Sequence, residues 1–255
     1  MPGTVHVHID GALARVTLAS AGKFNAMSRA MWRELAAAVA QLAARSDLRA
    51  LVVAGEGGHF CAGGDIAEYP DFRFDEAALR DFHEGEVWGG LSALLACDLP
   101  VIAQIEGNCM GAGMEIASAC DIRVAGASAR FGAPIARLGF PMAPREAQLV
   151  AREAGLLTAR EMLLQAAVLD APLMAARGFL HAVVPDADVA LEATQRAHRM
   201  AMLSPQAARL NKQTLRALCQ VEPAADLLDH AYRYADSPEH REGITAFNQK
   251  RAPVF

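Results

Sequence analysis

Two glycine-rich loops are the first feature of this 255-residue chain that could support chemistry. One runs over 55–65 and the other over 107–113, and each follows a short apolar run that predicts a buried strand. A predicted helix follows each loop, so unpaired main-chain N–H groups are expected where loop and helix meet. Glycine and alanine let a ligand approach the main chain closely. Two such loops side by side could direct two N–H groups at one carbonyl oxygen, which is an oxyanion hole.

Glu115 is the most informative acidic residue, because it lies in the first turn of the helix predicted after the second loop. Two interpretations are open: a carboxylate that complements the helix dipole, or a general acid or base beside the oxyanion hole. Asp65 is expected to cap the helix after the first loop. Glu68 and Tyr69 follow on that helix and are candidates for lining a pocket.

Other functions of such loops are not supported. No Walker A sequence is present, and the 111–113 glycines lack both the third glycine and the downstream acid of a dinucleotide-binding fingerprint. The 126–130 segment lacks the last glycine of a nucleophile elbow. Cys61 and Cys109 lie in the loops without an evident histidine partner, so buried thiols are favoured over nucleophiles.

The elements that must position these loops are predicted from periodicity and caps. Alternating apolar residues around Asp10-Gly11 predict a hairpin, and Ser28 predicts the start of a helix. The apolar face of that helix comprises Met31, Leu35, Val39 and Leu42. Thr158 to Glu161 has the pattern of a capping box. Short strands are predicted over 51–53, 101–105, 122–124, 129–131 and 182–184.

The chain after about residue 189 has only helical patterns. Helices are predicted over 189–203, 205–219 and 224–235, and a last one starts at Ser237-Pro238. The sequence therefore predicts an α/β core over 1–195 and a helical region over 196–255, with no flexible linker between them.

Composition excludes several classes of protein. The chain is 53% apolar and 21% charged with a net charge of −5, which fits a folded domain and not a nucleic-acid binder. No apolar run is long enough for a membrane helix, and the first residues do not resemble a signal peptide. The five cysteines form no CxxC pair and the histidines are scattered. We therefore expect no disulfides, no metal site and a cytoplasmic location.

Several motifs, in order, resemble the enoyl-CoA hydratase/isomerase (crotonase) superfamily over about residues 23–251. They are Asn25-Ala26-Met27, the 60–66 and 107–117 segments, Cys120 to Arg123, Phe131 to Pro134, and Arg241 to Phe247. The resemblance implies a crotonase (ClpP-like) α/β fold, a spiral of ββα repeats with a C-terminal helical trimerisation region. It further implies an acyl-CoA thioester ligand, trimers or dimers of trimers, and no separate cofactor, because coenzyme A is part of the substrate.

The resemblance also implies roles for residues of the two loops. The amides of Gly64 and Ala112 are expected to hold the thioester oxygen, and Glu115 is expected to handle a proton or water. The other positions matched to substrate or CoA binding are Lys23, Ala26, Ala62, Gly63, Asp65, Ile66, Gly111, Pro134, Ile135, Phe247 and Lys250.

One position departs from the pattern of the family. The second glutamate of typical hydratases should follow Pro134, where this chain has Ile135, and an aspartate used by some isomerases is replaced by Ala143. Glu146 or Arg145 either reaches the pocket from the altered loop or lies on a helix surface. The sequence predicts a hydratase-like enzyme that stabilises a thioester enolate. A one-base isomerase, a decarboxylase and an acyl-CoA-binding protein with little turnover stay open as alternatives.

Overall fold

A six-stranded sheet lies at the centre of the fold. The computed structural model describes residues 3–218 and 232–253. The strands, in spatial order, are β1 (Thr4–Asp10), β2 (Leu13–Ala19), β3 (Ala50–Gly55), β4 (Val101–Ile105), β6 (Ile122–Gly126) and β9 (Ala182–Val184). Strands β1 and β2 are antiparallel and every later pair is parallel. The buried residues of β3 and β4 are almost all aliphatic, as expected for parallel strands covered on both faces.

A smaller three-stranded sheet carries the second strand of each repeat. It consists of β5 (Asn108–Met110), β7 (Arg130–Gly132) and β8 (Val168–Asp170). The chain passes from β4 in the large sheet to β5 in the small one and then into a helix, and it passes from β6 to β7 in the same way. This repetition is the ββα spiral that the resemblance implies.

Helices cover the sheets and form the end of the described chain. They are α1 (Arg29–Ala43), α2 (Glu76–Asp81), α3 (Trp88–Ala96), α4 (Ala112–Ala119), α5 (Pro144–Ala154), α6 (Leu156–Leu164), α7 (Ala171–Ala176), α8 (Val189–Ala201), α9 (Pro205–Leu218) and α10 (Pro238–Asn248). A π-helical turn over Phe82–Val87 joins α2 to α3. Short 3₁₀ turns cover Ile66–Asp71, Pro134–Leu138, Asp186–Asp188 and Arg233–Asp236. None of the helices in the described ranges has the length and apolar character needed to cross a bilayer.

Helix α8 packs on one face of the large sheet and so belongs to the core. Its Val189, Ala193 and Ala197 are buried against β3, β4 and β6, while the main core fills the opposite face. The predicted boundary between residues 195 and 196 falls inside this helix, and the division into two regions stays a prediction. The helix predicted over 224–235 lies mostly outside the described residues, as does the last residue of the 205–219 prediction.

Three predicted element boundaries are confirmed and one is wrong. The hairpin turns at Asp10-Gly11, and Ser28 and Ser237 each accept a hydrogen bond from the amide three residues later. The capping box at Thr158 is wrong, because helix α6 already begins at Leu156 after Gly155, and Thr158 is buried in its interior. Gly155 adopts φ +84°, which ends α5 and places the N-cap of α6 three residues earlier than the prediction.

Candidate active site

A cavity of about 810 Å³ opens where the two glycine-rich loops meet α10 and the Pro134–Leu138 turn. Every residue predicted to bind or transform the substrate lines this cavity. They are Lys23, Ala26, Ala62, Gly63, Gly64, Asp65, Ile66, Gly111, Ala112, Glu115, Pro134, Ile135, Phe247 and Lys250. The fold therefore brings together positions that are more than 200 residues apart in sequence, and their individual roles stay predictions.

The two loops lie side by side because their main chains pair. Cys61 N donates to Asn108 O at 2.9 Å, and Met110 N donates to Cys61 O at 2.9 Å. Gly113 fits against the first loop only because it lacks a side chain, since a Cβ there would lie 2.6 Å from Cys61 O. The small residues thus allow the close approach of two backbones that an oxyanion hole needs.

The amides of Gly64 and Ala112 are available for a ligand. Among the hydrogen bonds of the described loops, turns and helix caps, none is donated by either amide. Ala112 is the first residue of α4, where a helix N–H has no partner within the helix. Gly111 precedes it at φ +47°, a conformation that favours glycine. Two unpaired N–H groups therefore lie on adjacent loops, and their role as an oxyanion hole stays a prediction.

Asn25 holds the first loop in place. Its Nδ2 donates to Glu56 O at 2.8 Å and to His59 O at 2.6 Å, while its Oδ1 accepts from Ser20 N at 3.1 Å. The residue is buried with φ +61°, a left-handed conformation that asparagine tolerates better than most residues. Asn25 therefore ties the loop to the end of β2.

Glu115 faces the cavity from the first turn of α4. Among the described residues, none forms a hydrogen bond or ion pair with its carboxyl group. Burial, followed by the negative charge of Glu146, raises the pKa of Glu115 well above its usual range, and the charge of Arg73 opposes that shift. A carboxyl group with a raised pKa and no fixed partner can exchange a proton with a bound substrate.

The position after Pro134 is apolar, as the sequence shows. Ile135 lines the cavity, and the acids that line it in the described chain are Asp65 and Glu115. Asp65 accepts from Ala67 N at 3.3 Å, which confirms it as a cap, and it also pairs with Lys23 Nζ at 2.6 Å. Glu115 is therefore the lining carboxyl group that is left for chemistry.

Arg145 and Glu146, which follow Ala143 in the first turn of α5, lie in different surroundings. Arg145 pairs with Glu84 at 2.9 Å and packs over the Trp88 ring, where it lines a separate cavity of about 610 Å³. Glu146 is buried, with 1% of its surface exposed. The interpretation of Glu146 as a helix-surface residue is therefore wrong.

Glu146 reaches the site through a histidine. Its Oε1 lies 2.9 Å from His83 Nδ1, and His83 Nε2 lies 3.2 Å from Arg73 Nη1. Because arginine only donates, Nε2 accepts, and Nδ1–H donates to Glu146. Burial lowers the pKa of His83, which favours this neutral form. His83 lines the cavity from the π-helical turn.

Arg73, like His83, is a cavity residue that sequence reasoning missed. It is fully buried and packs against the rings of Tyr69 and Phe140, with Cζ 4.4 and 4.1 Å from their centroids. The one signal in the sequence is its place between Phe72 and Phe74, which marks a segment bound for the interior. Tyr69 lines the cavity as the sequence suggested, whereas Glu68 does not, because its carboxylate accepts from the amide that follows Ser28 at 2.8 Å.

Four basic residues surround the solvent-exposed mouth of the cavity. They are Lys23, Arg137, Lys250 and Arg251. Their positive charge lies on a chain whose net charge is −5. Phe247 of α10 is half-exposed beside them and adds an aromatic surface. A ligand with an anionic end fits this mouth.

The loop cysteines are not activated. Burial raises the pKa of Cys61 to about 12 and that of Cys109 well above its usual range. Thiols in this state are poor nucleophiles, which confirms them as buried structural groups. Within 3–218 and 232–253, no three His, Cys, Asp or Glu side chains come together as metal ligands.

Comparison with known proteins places this geometry in a family. The sequence model described as enoyl-CoA hydratase/isomerase matches residues 8–255. A probable enoyl-CoA hydratase of Mycobacterium bovis is 30% identical over 255 residues, which cover 99% of this chain and 97% of that protein. The 2,3-dehydroadipyl-CoA hydratase of Escherichia coli is 33% identical over 235 residues, which cover 91% of this chain and 90% of that protein.

A solved structure agrees with the sequence comparison. A crystal structure of an enoyl-CoA hydratase/carnithine racemase from Magnetospirillum magneticum superposes with a TM-score of 0.83 at 34% identity. The match covers 99% of this chain and 95% of the other. Together with the paired loops and the ββα spiral, these matches show that the chain belongs to the enoyl-CoA hydratase/isomerase family, with the crotonase fold.

Proposed function

We propose that this protein is an acyl-CoA enzyme that hydrates an enoyl-CoA through a stabilised thioester enolate. The observation that carries the proposal is the pair of unpaired amides at Gly64 and Ala112, with Glu115 one turn further along α4 in the same cavity. The basic mouth would take the anionic CoA phosphates, and the apolar interior would take the acyl chain.

The thioester oxygen would accept hydrogen bonds from both amides. Negative charge develops on this oxygen when the α-carbon becomes an enolate, and each preorganised donor lowers that barrier by about 3–4 kcal/mol. Ionised Glu115 takes a proton from water while the water oxygen bonds to the β-carbon. The carbon–carbon π electrons move onto the thioester as the enolate. The carboxyl group of Glu115 then returns the proton to the α-carbon, so that one residue serves as base and acid.

A one-base isomerase or a decarboxylase is the second candidate. The observation in its favour is the apolar Ile135, because Asp65, the other carboxylate that lines the cavity in the described chain, is paired with Lys23. Both reactions pass through the same enolate and need no second acid to activate water. An acyl-CoA-binding protein with little turnover is the outcome if no substrate reacts.

Incubation with crotonyl-CoA in heavy water separates these functions. Hydration yields a 3-hydroxyacyl product, whereas isomerisation or enolisation yields deuterium exchange without it. In Glu115→Gln, turnover should fall by about 10²–10⁴-fold with binding nearly unchanged. Glu161→Gln, on α6 outside the cavity, is the control and should keep wild-type rates. Unchanged turnover in Glu115→Gln would remove this residue from the mechanism.

We further propose that the protein self-associates as a trimer or a dimer of trimers. Support comes from large apolar residues that are exposed: Leu157 and Leu164 on α6 and Met202 just after α8 are 73%, 79% and 87% exposed. Sedimentation velocity tests this, and a monomer at micromolar concentration would contradict it.

We propose a cytoplasmic location with no separate cofactor. The cysteines of the described chain (Cys61, Cys97, Cys109 and Cys120) are all buried and unpaired, which suits a reducing compartment. The proposed chemistry needs only the thioester and water, so activity should survive exhaustive dialysis against a chelator.

A further inference from the structure

We propose that Arg73 is a positioning residue for Glu115, and that its fixed positive charge allows the Glu115 carboxyl group to ionise inside the cavity. This inference rests on the proposed function, in which one buried carboxyl group serves as base and then as acid. Arg73 acts through Glu115 in this role and needs no contact with the substrate.

The guanidinium of Arg73 is fixed in the wall of the cavity. Its surface is fully buried, and its Cζ lies 4.4 Å from the ring centroid of Tyr69 and 4.1 Å from that of Phe140. Each of its nitrogens donates to a neutral side chain: Nε to His240 at 3.4 Å, Nη1 to His83 at 3.2 Å and Nη2 to Tyr234 at 3.0 Å. Arginine keeps its proton at any physiological pH, so the site contains a permanent positive charge.

Glu146 lies on the far side of His83 from this charge. His83 accepts from Arg73 through Nε2, so its Nδ1–H donates to Glu146 Oε1 at 2.9 Å. A carboxylate is the better acceptor for this proton, since hydrogen bonds to ionised acceptors are stronger than neutral ones. The charges of Arg73 and Glu146 therefore balance each other across a neutral imidazole ring.

Glu115 is the third charged group of this buried cluster. It lines the same cavity as Arg73 and His83, and the described chain offers its carboxyl group no hydrogen bond or ion pair. Burial and the charge of Glu146 oppose its ionisation, whereas the charge of Arg73 favours it. Charges in a buried region interact strongly because little water screens them. Without Arg73, two carboxyl groups would share the region with no cation, and Glu115 would hold its proton.

The other titratable and charged groups that the described elements place around the cavity do not replace Arg73. Burial raises the pKa of Cys61 and of Tyr69 to about 12 and also raises that of Tyr234, while it lowers the pKa of His83 and takes that of His240 to about 4, so all five are neutral near pH 7. Asp65 is paired with Lys23, and the remaining cations, Arg137, Lys250 and Arg251, are exposed at the mouth where water and salt screen them.

Infrared spectroscopy tests the inference without substrate or turnover. The difference spectrum between a protein and its Glu115→Gln counterpart isolates the C=O stretch of the protonated Glu115 carboxyl group, and a pH titration gives the midpoint of its ionisation. In Arg73→Met this midpoint should move to higher pH by about one unit or more. Arg73→Lys should move it less, because lysine keeps a positive charge although it loses the same hydrogen bonds.

A second variant changes the cluster in the opposite direction. Glu146→Gln keeps an oxygen that accepts from His83 and removes the negative charge, so the midpoint should move to lower pH. This variant decides the question if Arg73→Met does not fold. Arg177→Met is the matched control, because it removes a charge that pairs with Glu161 outside the cavity, and its midpoint should equal that of wild type.

The pH dependence of kcat/KM gives a kinetic readout that a structural role would not produce. Its ascending limb reports ionisation in the free enzyme and should follow the infrared midpoint. Below the limb, Arg73→Met should be about tenfold slower than wild type for each pH unit of displacement, and at high pH the two rates should converge. A loss by the same factor at every pH would show that Arg73 only supports the fold, and would overturn the inference.

The infrared outcomes also separate the inference from the proposed function. An unmoved midpoint in Arg73→Met, an equal shift in Arg73→Lys, or an unmoved or raised midpoint in Glu146→Gln would overturn the inference, while turnover of an enoyl-CoA would leave the proposed function standing. If no acyl-CoA reacts, the proposed function fails, and the midpoints still decide whether Arg73 controls Glu115.

Discussion

Replacement of Gly64 by alanine should disable the proposed oxyanion hole while the fold survives. A Cβ at this position would lie 2.0 Å from Tyr69 Oη and 3.0 Å from Tyr69 Cζ. Non-bonded heavy atoms normally pack at about 3.5–4.0 Å, so either the tyrosine or the loop must move.

The surroundings of Tyr69 indicate that the loop moves. Its ring packs edge-on against Phe72, Phe82 and Phe140 at centroid distances of 5.9, 6.2 and 5.9 Å, with Arg73 over its face. A shifted loop carries the amide of residue 64 away from the thioester oxygen. Loss of one such donor costs about 2.7–4 kcal/mol, or roughly 10²–10³-fold in kcat. Overpacking should also lower the free energy of unfolding by about 1–3 kcal/mol.

The assay is steady-state kinetics on the best enoyl-CoA substrate, with urea unfolding of each variant. Gly89→Ala in α3 is the matched control, because a Cβ there meets no atom within 4 Å. It should leave kcat unchanged and raise the free energy of unfolding by up to about 1 kcal/mol, as alanine does in place of a helical glycine. The double variant Gly64→Ala/Tyr69→Phe removes the hydroxyl that clashes and should recover part of the lost rate. A Gly64→Ala enzyme with wild-type kcat would refute the assignment of this amide.

Three further predictions concern stability. Because the pKa of Glu115 is raised in the folded protein, its neutral form stabilises at acidic pH and that contribution is lost as pH rises through the folded pKa. The melting temperature of wild type relative to Glu115→Gln should therefore fall from pH 4.5 upward, and a constant difference would contradict the burial argument. Asn25→Ala leaves two loop carbonyls without a donor and should lower the free energy of unfolding in urea by about 1–3 kcal/mol per unsatisfied group. A change under about 0.5 kcal/mol, roughly that of a neutral surface substitution, would show that Asn25 does not stabilise the loop. Burial lowers the pKa of His240 to about 4, so stability should be full above pH ~6.5 and decline as pH falls towards 4, a decline that His240→Gln should reduce.

Local sequence patterns predicted those helices and loops whose ends or faces are marked by residues close together in the sequence. Ser28 caps α1, and all four predicted apolar residues of that helix are buried, because the spacing of one face needs only a sheet to pack against. The glycine-rich loops were also predictable, because small residues between a buried strand and a helix indicate a place where another main chain or a ligand approaches closely. The family resemblance then indicated an acyl-CoA ligand, which neither the spacing of the residues nor the composition of the chain could indicate.

Features that depend on distant partners were not predictable. The sequence places Glu146 on the surface of α5. In the structure it is buried, and its carboxylate accepts a hydrogen bond from His83, which lies 63 residues earlier. The contacts of Arg73 with Tyr234 and His240 span more than 160 residues. The sequence places strand β5 within the 107–113 loop, because its three residues form a strand only by pairing with β7. Such arrangements follow from tertiary packing, which local periodicity does not encode.

The most direct test of the central claim is a crystal structure with a bound, unreactive acyl-CoA. The account predicts the thioester oxygen at hydrogen-bond distance, about 2.7–3.1 Å, from both Gly64 N and Ala112 N. It also predicts the Glu115 carboxyl group beside the α- and β-carbons, with the CoA phosphates at the basic mouth. A thioester bound elsewhere, or an oxygen that contacts neither amide, would contradict the account.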